Sequence, residues 1–152
     1  MLKTLADIDR SSWTSWLSYY LGFVVGGSSE TVALLAASPA SLAVLFGSIA
    51  AFFAIQMQLQ RYMQIALTSN TFGTPQQLVT GGAFQYSRNP IYLAFLVPIA
   101  GLIVVSPLAV LVAGVAYVVA MSLWVIPREE QVLAEKFPAA FADYCSKVRR
   151  WI

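Results

Sequence analysis

Two short polar clusters, Arg88-Asn89-Pro90-Ile91-Tyr92 and Arg128-Glu129-Glu130, border the two longest charge-free stretches in the second half of this chain. Only 11% of residues are charged, and a charge in or beside hydrocarbon costs several kcal/mol unless it is used. Two guanidiniums, two carboxylates and an amide at the edges of apolar runs therefore point to a polar site at a membrane surface. A guanidinium can grip a carboxylate at two points, which makes Arg88 a candidate holder of an anionic group. The alternative use of Arg88 is to reach phosphate headgroups along its own stem. Asn89 and Pro90 also suit the cap and first residue of a helix. Tyr86 and Tyr92 fit either the site or an interfacial aromatic belt. Glu129 and Glu130 suit a helix N-terminus through its dipole; as helix neighbours they diverge, so one of the two faces a ligand.

Several chemistries are absent from the residues available. There is no histidine, which removes His-based triads and most zinc and non-haem iron sites. The single cysteine, Cys145, allows neither an internal disulfide nor a thiolate cage. A net charge of +2, dispersed and not interleaved with aromatics, argues against nucleic acid. No metal and no nucleic-acid partner are expected. The glycine-rich strand-to-helix turn of soluble nucleotide-binding folds is missing, so a nucleotide-like cofactor needs another mode of binding.

The elements that position these residues are membrane helices. At 59% hydrophobic and a mean hydropathy of +0.71, the chain is far more apolar than soluble domains. A spanning helix takes roughly 20 apolar residues, and four apolar segments fit, at about 13–36, 41–60, 90–105 and 107–126. Ser28, Ser29 and Glu30 interrupt the first. Ser106-Pro107 separates the third from the fourth with almost no loop, which predicts a tight antiparallel hairpin. The fourth is expected to stop at Pro127. None of the runs alternates as a barrel strand would, so the expected fold is all-α, with about four transmembrane helices in one domain over 1–152.

Basic residues set the expected orientation. Lys3 and Arg10 precede the first segment, Arg61 and Arg88 separate the second from the third, and five more follow the fourth. Four spans place all nine on one side, which the positive-inside rule makes cytoplasmic. Three spans would split them. Both termini are then cytoplasmic, and Cys145 lies in a reducing compartment. Met1 to Arg10 carries Asp7 and Asp9 and does not read as the basic region of a signal peptide.

Residues 127–152 differ in kind. Leu133, Phe137, Phe141, Tyr144, Val148 and Ile152 recur at three- and four-residue spacing, which predicts an amphipathic cytoplasmic tail. Pro138 divides it into two short helices, one holding Glu129 to Lys136 and one from Ala139. Either the tail lies on the membrane surface, or it folds back over the hairpin and closes a pocket, with Trp151 at the interface.

Residues Thr80-Gly81-Gly82-Ala83-Phe84-Gln85-Tyr86-Ser87-Arg88-Asn89-Pro90-Ile91-Tyr92 resemble the first signature of the isoprenylcysteine carboxyl methyltransferase family. That signature is a glycine turn and an aromatic, then Arg-His/Asn-Pro-x-Tyr opening a transmembrane helix. Glu129-Glu130-x-x-Leu133, with Phe137, Phe141, Tyr144 and Val148-Arg149-Arg150-Trp151-Ile152, resembles the second. The phospholipid methyltransferases share both. This chain departs at Ala83-Phe84, where Pro-Tyr is frequent, at Ala94, where glycine is common, and at Pro138, where glycine usually follows the phenylalanine.

The resemblance implies an integral membrane enzyme that binds S-adenosylmethionine between its last two spans and its tail. A lipophilic methyl acceptor would enter from the lipid bilayer. It implies Arg88 and Glu130 as catalytic residues. It implies Gly81, Gly82, Tyr86, Asn89, Tyr92, Glu129, Glu130 and Leu133 as cofactor-binding, with the glycine pair read either as close approach to the cofactor or as an ordinary turn. A carboxylate acceptor, as in an isoprenylcysteine, needs no general base and suits a chain without histidine. An amine would have to be deprotonated, with Glu129 or Glu130 as the nearby candidates. A phospholipid or other amphiphile, an NADPH-dependent sterol- or enone-type reductase, and a small membrane protein without enzymatic activity are the other readings.

Overall fold

The computed structural model of the chain describes residues 2–67 and 77–152, and among these every regular element is helical. The helices are α1 (Leu2–Gly26), α2 (Ser29–Ala37), α3 (Pro39–Leu67), α4 (Pro90–Ala94), α5 (Leu96–Gly101), α6 (Pro107–Ala120), α7 (Ile126–Lys136) and α8 (Pro138–Lys147). Two stretches, Pro39–Met63 and Pro107–Lys136, are long and apolar enough to cross a membrane, and Pro90–Val104 is a shorter apolar stretch of helical segments. Phe46 and Phe53 on α3 and Leu111 and Val115 on α6 point outward, as lipid-facing side chains do.

The first apolar segment is two helices. α1 ends at Gly26, and Ser28 caps α2 by accepting from Thr31 N at 3.1 Å. The interruption at Ser28-Ser29-Glu30 is thus a break in the backbone. α1 runs antiparallel to α6 in close contact because both present small residues there. A methyl group added at Gly22 would lie 2.6 Å from the Ala109 carbonyl and from the Ala113 Cβ. One added at Gly26 would lie 2.6 Å from Ser106 Oγ. Such a four-residue spacing of small residues lets membrane helices pack backbone to backbone.

The third segment is not one helix either. Pro98 lacks the N–H that would bond to Ala94, and the chain is interrupted at Phe95, whose N–H turns to Tyr92 O at 3.2 Å. Ile91 O accepts instead from Gln56 Nε2 of α3 at 2.9 Å. In hydrocarbon an unmet carbonyl costs several kcal/mol, so Gln56 makes the break tolerable. Phe52 of α3 and Phe95 pack with ring centroids 4.3 Å apart, and Trp16 of α1 meets both edge-on. The third and fourth segments do adjoin at Ser106, which caps α6 by accepting from Ala109 N at 3.1 Å. Their principal partners are nevertheless elsewhere, with α5 against α3 and α6 against α1.

Pro127 does not stop the fourth segment. A π-helical turn at Met121–Val125 connects α6 to α7, and Pro127 sits in the first turn of α7, where its missing N–H has least effect. The helical path therefore carries Arg128, Glu129 and Glu130 directly on from the apolar run. Pro138 does divide the tail, with Phe137 at φ −130°, ψ 58° between α7 and α8.

Candidate active site

A cavity of about 1050 Å³ opens where α1, α4, α6, α7 and α8 converge. Among its lining residues are Arg88, Asn89, Tyr92, Glu129, Glu130 and Leu133, all six expected at a site. Small-molecule sites run from roughly 300 to 1,000 Å³, so this one has room for a cofactor and part of a second molecule. One side is polar. The other is formed by Trp13, Leu17 and Leu21 of α1 facing Val119 and Trp124.

The polar wall is held by the C-terminal segment. Arg88 N bonds Arg149 O at 3.0 Å, and Asn89 Nδ2 donates to Arg150 O at 2.9 Å. Ser87 Oγ also donates to Arg150 O, at 3.4 Å, and receives Asn89 N at 3.0 Å. Asn89 occupies the N-cap position of α4, but its side chain makes no capping bond; the amide is spent on the tail. Trp151 Nε1 donates to Ser122 Oγ in the π-helical turn at 3.1 Å, and its ring packs 6.5 Å from that of Tyr117. The last residues thus close over the bundle, with Trp151 against its core.

Glu130 lies between two guanidiniums. Its Oε1 is 3.2 Å from Arg88 Nη1 and 3.2 Å from Arg150 Nε, and its Oε2 is 2.5 Å from Arg150 Nη2. The hydrogen bond from Arg150 to this carboxylate raises the pKa of the guanidinium above its ordinary value. Arg88 Nη1 also contacts the Cys145 sulfur. Arg88 Nε is buried and has no hydrogen-bond partner among the described residues.

Glu129 is differently placed. Its carboxylate lines the cavity and receives the Tyr92 hydroxyl at 2.5 Å. Tyr92 is fixed in turn, since its carbonyl accepts from the buried Tyr117 hydroxyl at 2.8 Å. The two adjacent carboxylates therefore separate as helical geometry requires, one committed to internal cations and one facing the open volume.

Gly81, Gly82 and Tyr86 do not line the cavity. Gly82 has φ +60°, a left-handed conformation natural to glycine, and a Cβ there would fall 2.9 Å from the ring of Tyr62. The glycine pair thus admits the α3 tyrosine, and Tyr86 is 78% exposed. Their neighbour Phe84 does line the cavity, and its carbonyl receives the Tyr144 hydroxyl at 2.7 Å. Burial pushes the Tyr144 phenol up to about 12, with Arg88 partly opposing the shift.

Sequence reasoning missed Arg150 as the partner of Glu130, and missed the α1 wall. Arg150 stood in the second signature without a role. The α1 wall left a legible trace in the four-residue spacing of Gly22 and Gly26.

A family model described as phospholipid methyltransferase matches residues 42–140. That span holds both polar clusters but neither α1 nor the Arg150 end of the clamp. No curated protein and no solved structure matches the chain.

Proposed function

This chain belongs to the phospholipid methyltransferase family and is thereby a membrane methyltransferase; from that premise we propose that it methylates a lipophilic acceptor using S-adenosylmethionine. The acceptor group we assign is a carboxylate, as at the end of an isoprenylcysteine-like molecule, with a phospholipid headgroup as the alternative. The observation that carries the reading is one cavity lined by both the Glu129 carboxylate and Arg88, with apolar surface beside them.

The residues suit the cofactor. A zwitterionic amino-acid end calls for an acceptor and a cationic donor, and Glu129 and Arg88 both line the cavity. Leu133, Phe84 and Phe141 offer apolar surface for a flat base. When bound, S-adenosylmethionine supplies a methyl group on a sulfonium, and its transfer to a carboxylate oxygen requires no proton to be removed. The protein then contributes position and electrostatics. Tyr92 holds the Glu129 carboxylate in one orientation, and Glu130 fixes Arg88 against the tail. Glu130 is thus a positioning residue, and Glu129 is the carboxylate that meets the ligand.

Orientation follows from charge. The cavity edge, Arg61, Arg88 and the basic tail share one end of the bundle, and the positive-inside rule assigns that end to the cytoplasm.

Calorimetric titration of the purified protein with S-adenosylmethionine, S-adenosylhomocysteine and NADPH tests the reading. The first two bind and NADPH does not. Glu129→Gln removes one charged contact, worth about 1.5–3 kcal/mol, and weakens S-adenosylmethionine roughly ten- to a hundredfold. Unchanged affinity in that variant would misplace the cofactor, and binding of NADPH alone would replace methyl transfer by reduction.

A further inference from the structure

Arg88 was the natural cation to receive an anionic acceptor, but its Nη1 is already spent on Glu130 and Cys145. Arg150 is spent on the same carboxylate. Among the described residues one cavity-lining guanidinium remains, that of Arg128, and no hydrogen bond or ion pair engages it. Its position is specific. Val125, Arg128 and Val132 recur at three and four residues along one face of the helix, and all three line the cavity. Trp124 lies one turn before Arg128, and Trp13 of α1 lines the same edge. These two indoles are 61% and 70% exposed, as aromatic side chains at a membrane–water boundary are.

From this edge an apolar arm runs along the groove between α1 and α6, bordered by Leu17, Leu21 and Val119, each exposed on its outer side. Trp13 to Leu21 spans eight residues of helix, about 12 Å. The arm therefore joins a strip of hydrocarbon-facing surface to one free cation.

We propose that Arg128, flanked by Trp13 and Trp124, binds the anionic head of the acceptor, a long-chain carboxylate whose chain lies in the α1–α6 groove. The proposal rests on the methyltransferase reading and adds to it the residue that selects the acceptor. Arg128 can hold a carboxylate at two points while the groove takes the chain, and a cationic amphiphile meets like charge at the same place. A headgroup anchor would show no such selectivity between ligands in the cavity.

The test is quenching of tryptophan fluorescence in nonionic detergent by 9,10-dibromostearate, its methyl ester and the matching dibromo-amine. Wild-type protein is expected to bind the carboxylate at least about tenfold more tightly than the ester or the amine, the scale of one charged hydrogen bond. Arg128→Gln removes that preference, and Arg128→Lys keeps most of it. Loss of the preference in Arg88→Gln with retention in Arg128→Gln would transfer the role to Arg88 and overturn the assignment. Equal binding of all three probes by wild-type protein also overturns it. Titration of the same samples with S-adenosylmethionine reports on the methyltransferase reading separately, and the quenching result decides Arg128 whichever way that titration falls.

Discussion

Glu130 of α7 and Arg150 of the C-terminal segment form a two-point ion pair, with Oε1 3.2 Å from Nε and Oε2 2.5 Å from Nη2. Arg88 approaches the same carboxylate from the turn before α4. One acidic side chain thereby ties together three parts of the chain that the apolar helices would otherwise only bring near one another.

Replacing Glu130 with Gln leaves two guanidiniums beside a neutral amide. Breaking a buried pair from one side costs about 3–5 kcal/mol, and with Arg150 37% exposed the expected loss is about 2–3 kcal/mol. Glu129→Gln, in an exposed carboxylate, is expected to cost less than about 1 kcal/mol. Denaturant unfolding of the two variants in mild micelles gives the comparison. Equal stability of the pair would mean that the clamp contributes nothing.

Gly26→Leu drives a side chain into Ser106 and Ala109, whereas Gly47 has nothing within 4 Å of its Cβ position. The first substitution is expected to destabilise by at least about 1–3 kcal/mol, and Gly47→Leu by less than about 0.5 kcal/mol. Thermal unfolding in detergent distinguishes them. A stable Gly26→Leu variant would contradict the close α1–α6 contact.

Tyr144 carries a pH dependence. Its folded pKa of about 12 exceeds the ordinary 10.0 because the phenol is buried. A raised folded value means that its stabilising contribution is complete below the unfolded pKa and is lost as pH rises through the folded one. The stability advantage of wild type over Tyr144→Phe is therefore expected to hold from about pH 8 to about pH 10 and to shrink toward about pH 12. Unfolding free energies across that range are the measurement, and an advantage that grows with pH would reverse the sign.

Both ends of the chain are expected on the cytoplasmic side. With Cys145 replaced by serine, a cysteine at Ser28 should react with an impermeant reagent from outside, and one at Arg149 should react only after permeabilisation. Labelling of Arg149 from outside would invert the topology.

The sequence alone determined the material and the residue types that any chemistry could use. Its hydropathy makes a helical membrane protein, since lipid leaves backbone groups no partner but their own helix or a closed barrel. The absence of histidine and the scarcity of charge confined a site to residues 88–92 and 128–130. Five of the site residues expected there, Arg88, Asn89, Tyr92, Glu129 and Glu130, line one cavity, because adjacency to apolar runs and special backbone chemistry at Asn89-Pro90 are local properties. Pro138 likewise broke the tail where proline must.

Tertiary structure decided what each charge is for. Nothing local in Glu129-Glu130 tells which carboxylate meets Arg88 and Arg150, since that depends on where a segment twenty residues away returns. Gly81-Gly82 signals a close approach, but only packing identifies the ring of Tyr62 as what approaches. Pro98 and Pro127 mark places where a helix loses a donor. Whether it breaks, as at Phe95, or continues past a π-helical turn, as at Met121–Val125, depends on neighbours such as Gln56 and Trp151. In an apolar medium every freed polar group must find a partner from another part of the chain, and sequence order does not record which one arrives.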